Sequence, residues 1–401
     1  MRKNAVNKQL RPIDGGVCAP SGFRANGIDA GITDDGQLDF ALIVADKLCP
    51  TACVYSSILP YGATATVTQK HIKNGYAQAI LAHSGIANVY QTDGIAIAER
   101  ISSLLEEVPL GVRAEDVVLA STGVVGKPLN ILPFERSKTA LVDGLEASDV
   151  ASKRVAEALM TTDRECKQLS YEFDLGDVVC KIGAVFKGNA RVCPNMATTL
   201  VFLTTDVNIS VEMLQKALKS ATNDTLNMLN VDGVSSPNDT VCIMANGKAG
   251  NYRISVQDTE YQKFLFLLKK VLENVCQKII RDGGSKVLLA KVTGAKSKQI
   301  ARTVAKSLIS IFGERGKCVQ AQWSAETLLY AVMSARESAD LFKARVWVTL
   351  DGCKVGVFET GRLITLSEST VMRLLDADEM EICVDFGEGN YSAISFGRRE
   401  R

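Results

Sequence analysis

Histidine is nearly missing from this sequence. Only His71 and His83 occur in 401 residues, so a Ser-His or Cys-His nucleophile system would have to use one of those two. Charge of one sign is lacking as well. Forty-six basic side chains against 45 acidic ones leave a net charge of +1, which excludes a global field that recruits nucleic acid or an anionic membrane surface. Long apolar runs are absent. The run opening at Leu200 falls far short of the ~18 residues that a membrane span needs, and the start, MRKNAVNKQLRPIDGG, has positive charge but no apolar core of a signal peptide. Together these absences predict a soluble, cytoplasmic protein that binds no nucleic acid and no membrane, with small molecules or copies of itself as partners.

Ordered cysteine pairing is also missing. The eleven cysteines are scattered and odd in number, which suits reduced thiols better than a disulfide framework. Cys49 and Cys53 have three residues between them and no second Cys pair or His cluster nearby, so no metal site is expected. Glycine-rich phosphate loops are lacking too. The Gly-Gly pairs at Gly15 and Gly283 have the spacing of neither a dinucleotide nor a Walker fingerprint, and no nucleotide cofactor is implied.

What the chain does have is enough apolar residue, 46%, for two cores of ~150 to 200 residues each. Runs at 38–45, 64–69, 77–82 and 117–121 read as strands, and 93–108 has helical period. Residues 168–186 read as two β runs joined at Leu-Gly-Asp, followed by a strand from Leu200, a helix at 211–222 and a strand at 240–245. The longest amphipathic pattern, 258–280, stops at Arg-Asp-Gly-Gly and opens a second half, approximately 255–401. Beyond it the expected order is strand 287–292, helices 296–312 and 325–337, strands near 345–350 and 354–359, helix 367–376, then strands 380–386 and 391–396. The fold class this predicts is α/β, layered mixed sheets with helices in two units.

Five stretches could carry chemistry. In CPNMATTLVFLTTD, Cys193 to Asp206, a Thr pair stands where a Pro-Asn turn dives into a buried strand. Each hydroxyl there reads either as a hydrogen-bonded strand residue or as a positioned nucleophile. In STGVVGKPLN, Ser121 to Asn130, glycines at 123 and 126 let backbone N–H groups converge on an anion, or simply make a turn. In LMTTD, Leu159 to Asp163, Thr and Asp read as helix caps or ligands. Lys187 in VFKGNAR reads as a surface lysine or a carboxylate binder. VDGVSSPNDT, Val231 to Thr240, reads as a turn before a strand.

Taken in order, GVCAPSGFRANGIDAGI, LASTGVVGKPL, ALMTTD, KGNARVCPNMATTLVFLTTD, VDGVSSPNDTV with MANG, and VDFGEGNYSAISFG are similar to the bifunctional ornithine acetyltransferase family, the glutamate N-acetyltransferases of the cyclic arginine pathway. The resemblance runs over nearly the whole chain, and its most specific part is the PNMAT block. It implies a self-cleaving fold in which Thr198 is the nucleophile and the bond between Ala197 and Thr198 is cut, leaving an α chain of 1–197 and a β chain of 198–401. It further implies Thr122 and Gly123 as an oxyanion hole, Thr161, Lys187 and Thr198 as substrate-binding residues, no cofactor, and an α2β2 assembly. The implied cycle is ping-pong: acetylornithine acetylates Thr198, ornithine leaves, and glutamate accepts the acetyl group. The new α-amine, with a reference pKa near ~7.7 to 8, supplies the base that two histidines do not.

Some of the family's blocks differ here. The glutamate of its Gly-Glu-Gly-Ala-Thr-Lys-like segment has no counterpart in RDGGSK, Arg281 to Lys286; ERGKCVQAQW and HSGIAN replace two further blocks; and the chain stops at SFGRRER where the family continues. A relative with altered or lost transferase activity, serving as a binding or scaffold protein, or an amidase of the same fold, is therefore the alternative reading. An intact chain marks the first, and hydrolysis of acetylornithine without transfer marks the second.

Overall fold

The computed structural model describes residues 10–33, 35–189, 199–231, 236–282, 286–312, 330–333, 342–350 and 352–399. In chain order the strands are β1 (Arg11–Pro12), β2 (Phe23–Ile28), β3 (Phe40–Tyr55), β4 (Tyr76–His83), β5 (Val117–Ser121), β6 (Lys167–Leu175), β7 (Val178–Lys187), β8 (Leu200–Thr205), β9 (Leu229–Asn230), β10 (Thr240–Ala245), β11 (Lys286–Ala295), β12 (Arg345–Leu350), β13 (Cys353–Glu359), β14 (Arg362–Leu363), β15 (Glu379–Asp385) and β16 (Tyr391–Arg399). The α-helices are α1 (Ala63–His71), α2 (Gly94–Ser103), α3 (Leu132–Asp143), α4 (Asp149–Ala158), α5 (Val211–Asp224), α6 (Thr259–Arg281), α7 (Lys298–Phe312) and α8 (Glu368–Asp376). They fall into two compact units: Met1–Gly188, Asn195–Thr222 and Ser235–Val275 form the first, and Asn189–Pro194, Asn223–Val234 and Cys276–Arg401 the second.

The first unit holds a nine-stranded sheet, ordered β1-β6-β7-β8-β10-β3-β4-β5 with β2 added along β3. Its shape follows from β3. Residues 40–45 of that strand pair with β2 and β4, residues 51–55 pair with β10, and the register shifts between Val44 and Cys49. Such an irregularity bends a strand, and here it folds the sheet into two stacked layers. Side chains of period two on β3 sort to opposite faces accordingly. Ala41, Ile43 and Ala45 join Ala120 of β5, Val185 of β7 and Phe202 of β8 in the core between the layers. Phe40, Leu42 and Val44 face the other way, toward Ala98 of α2 and Phe134 of α3. On the β6–β10 layer, α5 and α6 are tied by Gln215 to the Cys53 carbonyl (3.1 Å) and by Asn274 to the Tyr171 hydroxyl (2.8 Å).

The second unit is a seven-stranded mixed sheet, β14-β13-β12-β15-β11-β16-β9, in which β11 runs parallel to β15 and antiparallel to β16. Helix α7 buries Val304, Leu308 and Ile309. The mixed α/β class and its layering are as the sequence predicts.

One segment differs. Residues 64–69, read as a strand from their Thr and Val content, lie in helix α1. Propensity loses here to packing: Thr64, Ala65, Val67 and Thr68 are buried, and the Thr68 hydroxyl both donates to the Leu119 carbonyl (2.8 Å) and accepts from the Leu119 amide (2.7 Å). Helix α3 is not among the elements that the sequence predicts. The helix expected at 325–337 lies mostly outside the described residues, with 330–333 helical. No disulfide links the described cysteines.

Candidate active site

Lys187 is the last residue of β7 and is buried, an uncommon place for an ammonium group. Its Nζ donates to the Thr161 hydroxyl (2.6 Å) and to the Thr122 hydroxyl (3.2 Å), and stands 3.7 Å from Asp163 Oδ2. Thr122 follows β5, while Thr161 follows α4. The bend in β3 stacks the β5 layer on the β7 layer, which is what lets residues 65 and 26 positions away from Lys187 meet it.

Asp163 organises the charge. Its Oδ1 accepts from Lys167 Nζ (2.7 Å) and from the Gly188 amide (2.8 Å), and its Oδ2 from the Thr161 amide (3.3 Å). Burial pushes this carboxyl up, but Lys187 and Lys167 outweigh it and hold Asp163 below the usual carboxylate range. Burial pushes Lys187 down, opposed by Asp163. Two ammonium groups around one carboxylate suit the recognition of a further carboxylate. The sequence leaves Asp163 open as a cap or a ligand and does not single out Lys167, whose placement four residues on is a spacing shared by countless surface pairs.

The oxyanion candidates lie directly beside this cluster. Three amides of the loop after β5 are already used: Thr122 donates to the His83 carbonyl (3.0 Å), Val124 to that of Gly85 (2.9 Å) and Gly126 to that of Val89 (3.3 Å). The Thr122 hydroxyl meets Lys187, and the Gly123 N–H has no acceptor among the described residues. Gly123 has φ +129°, and a Cβ there would stand 2.2 Å from the Gly85 carbonyl carbon, so no other residue fits. Gly126, whose amide is engaged, serves the loop rather than an anion.

Neither histidine supplies a base here. His71 Nδ1 lies 3.0 Å from the Val117 carbonyl, and the buried His83 ring stands edge-on to Phe134 at 5.2 Å. Burial lowers the His83 pKa to about 4, against the opposing pull of the Ser84 backbone. A base with a folded pKa below its unfolded value of 6.5 binds fewer protons in the native state, so His83 contributes stability in full above that pH and loses it as pH falls toward 4. Between pH 7 and pH 4 the protein should lose roughly 3 kcal/mol more than the His83→Leu variant, read from urea midpoints; parallel pH curves for the two would refute this.

Ala197 and Thr198 lie outside the described residues. Thr199 is described: its carbonyl accepts from Thr240 N (3.2 Å) and its amide donates to Asp239 Oδ1 (2.8 Å), so it leads straight into β8.

The sequence of this chain matches the ArgJ family over residues 24–398. The chain belongs to the ArgJ family. The arginine biosynthesis bifunctional protein ArgJ of Symbiobacterium thermophilum is 33% identical over 398 residues, covering 96% of this chain and 95% of that protein. Its namesake in Caldanaerobacter subterraneus is 33% identical over 396 residues, with coverage of 96% and 95%. Among solved structures, ornithine acetyltransferase from Mycobacterium tuberculosis complexed with ornithine is 28% identical, covering 40% of this chain and 88% of that one with a TM-score of 0.38. ArgJ membership agrees with the acyltransferase of arginine biosynthesis expected from the motifs.

Proposed function

We propose that this ArgJ protein moves the acetyl group of acetylornithine to glutamate through an acetyl ester on Thr198. The observation that supports this reading most directly is the buried Lys187–Thr122–Thr161 cluster, which sets a cation and an oxyanion donor beside the chain that leads into β8. Thr198 is one peptide link from Thr199, whose amide and carbonyl are both held. In the first step Thr198 Oγ attacks the Ala197 carbonyl and the bond from that carbonyl to the Thr198 nitrogen breaks. Water then opens the resulting ester, giving the Ala197 carboxylate, a free Thr198 hydroxyl and a free α-amine.

That amine takes the Oγ proton as Thr198 attacks the acetyl carbonyl of acetylornithine. The Thr122 hydroxyl and the Gly123 N–H stabilise the tetrahedral oxyanion, a contribution worth about 10²- to 10³-fold per donor. Lys187 and Thr161 hold the amino-acid part of the substrate, Lys187 by its charge. Ornithine leaves with the proton, and glutamate attacks the acetyl ester in the reverse sense. The fragments 1–197 and 198–401 assemble as α2β2, and the cycle asks for no cofactor.

Intact mass and acetyl transfer together test the proposal. Purified protein should show two chains in place of the 43.2 kDa one, and should release ornithine from acetylornithine at a rate that rises with glutamate. Equal release with and without glutamate would make it an amidase instead, and an intact chain with no release would leave a binding protein.

A further inference from the structure

Asn238, two residues before β10, is buried and has no part in the cycle described above. The sequence reads its stretch as a turn, where an asparagine ordinarily bonds backbone close to itself. Here the carboxamide reaches further. Its Nδ2 donates to the Ala87 carbonyl (2.6 Å) and to the Ser121 carbonyl (3.1 Å), with the Ser121 hydroxyl at 3.3 Å. Ala87 lies in the loop after β4, 151 positions away, and Ser121 closes β5, 117 positions away. Two carbonyls on one side of the carboxamide settle which end is the nitrogen. Its Oδ1 is enclosed and meets no donor among the described residues. A buried oxygen left open costs roughly 1 to 3 kcal/mol. A side chain held at that cost for its nitrogen alone points to the carbonyls it grips.

Gly62 makes room for this arrangement. Its φ of −61° and ψ of 156° suit any residue, so the backbone does not require glycine. Space does: a Cβ at Gly62 would stand 1.6 Å from Asn238 Oδ1 and 2.8 Å from its Cγ. The Gly62 amide also donates to the Pro237 carbonyl (3.3 Å), which ties the two segments together.

Asn238 grips the peptide group just ahead of Gly123. The Ser121 carbonyl and the Thr122 N–H belong to one planar peptide. Asn238 holds its oxygen, and the His83 carbonyl takes its N–H (3.0 Å). The peptide between Gly123 and Val124 is held as well, by the Val124 amide on the Gly85 carbonyl (2.9 Å). Gly123 N–H sits on the one peptide between these two, so its direction is set by how firmly the flanking peptides are fixed. Glycine is the loosest joint a chain can have, which makes that hold matter more here. The Ala87 bond secures the facing strand of the loop, since the Ala87 amide donates to the Val124 carbonyl (2.9 Å). We infer that Asn238 is a positioning residue for acyl transfer: its carboxamide, seated against Gly62, locks the Ser121–Thr122 peptide and so aims the Thr122 hydroxyl and the Gly123 N–H. This rests on the reading of those two groups as the oxyanion donors.

Asn238→Ala removes the hold and should lower kcat for acetyl transfer by about 10- to 10²-fold. KM for acetylornithine should stay within about twofold, because Lys187 and Thr161 keep their places. Gly62→Ala leaves the carboxamide in the chain and pushes it off its carbonyls, so kcat should fall by about 10-fold. It serves as the second variant if the Asn238→Ala protein folds or cuts poorly. In the Asn238→Ala background the added Cβ meets no Oδ1, and Gly62→Ala should change kcat by less than about twofold. Thr64→Ala is the structural control: it removes a buried bond to the Ser121 hydroxyl (2.8 Å) without touching either carbonyl. It should lower the thermal midpoint and keep the wild-type kcat. Wild-type kcat in Asn238→Ala, or a Gly62→Ala loss of full size in the Asn238→Ala background, would overturn the inference. Failure of the parent reading looks different: Thr122→Val would keep the wild-type kcat, or the wild-type protein would transfer no acetyl group, and the role given to Asn238 would fall with it.

Discussion

Thr198→Ala should leave a single 43.2 kDa chain on denaturing gels and in intact mass, where the wild type resolves into two fragments. Acetyl transfer should drop by about 10⁴-fold or more, the scale seen when a nucleophile is removed from a catalytic unit. Thr198→Ser keeps the hydroxyl and the α-amine, so it should still cut itself and retain measurable transfer. Thr199→Ala should cut normally, because the Thr199 contacts in hand are made by its backbone amide and carbonyl. Cleavage of the Thr198→Ala protein at the same bond would remove the proposed mechanism altogether. Thermal midpoints of the Ala and Ser variants should match, which separates chemistry from folding.

Lys187→Met should lower kcat/KM by about 10- to 10²-fold, since the proposed charge-assisted hydrogen bond from the ammonium to the substrate carboxylate, worth roughly 1.5 to 3 kcal/mol, is lost. Most of the loss should appear in KM for acetylornithine and for glutamate, both of which bring a carboxylate to the cation. Stability should change little. Asp163 keeps Lys167, the Gly188 amide and the Thr161 amide after the substitution, so no buried carboxylate is orphaned. Asp163→Asn is the contrasting case: it takes the one buried carboxylate away from two facing ammonium groups and should cost roughly 3 kcal/mol or more in unfolding free energy. Steady-state kinetics and denaturant melts on the two variants check both halves. An unchanged KM in Lys187→Met would place the substrate elsewhere.

Several site features are legible in the sequence. Gly123 after a strand reads as a place where the backbone approaches closely or turns, and the observed φ of +129° with no room for a Cβ explains why glycine stands there. The apolar hexapeptides at 200–205 and 240–245 announced strands buried on both faces, as parallel neighbours deep in a layered sheet must be. Asp239 was less legible. In SSPNDT an Asp before a strand has the look of any turn residue, and nothing local shows that its carboxylate will be enclosed around a backbone amide from 40 positions away. Helix α1 was misread for the related reason that Thr and Val carry strand propensity, while the partner that overrides it, Leu119, belongs to another strand.

What the sequence determined by itself was the alternation of apolar residues, the glycines at obligatory turns, the near absence of histidine, and an ordered set of motifs that placed the chain in its family. What only the tertiary structure decided was which of those motifs meet and in what state of charge. The bend in β3 stacks one layer on the other and brings Thr122, Thr161 and Lys187 within hydrogen-bond reach. It also decides which amides are consumed by neighbouring carbonyls: Gly126 N–H is taken by the Val89 carbonyl, while Gly123 N–H has no acceptor among the described residues. Ionisation belongs to the same level: Asp163 is held charged by Lys187 and Lys167, and Asp239 is raised by burial, because desolvation and the field of neighbouring charges exist only once the chain has folded.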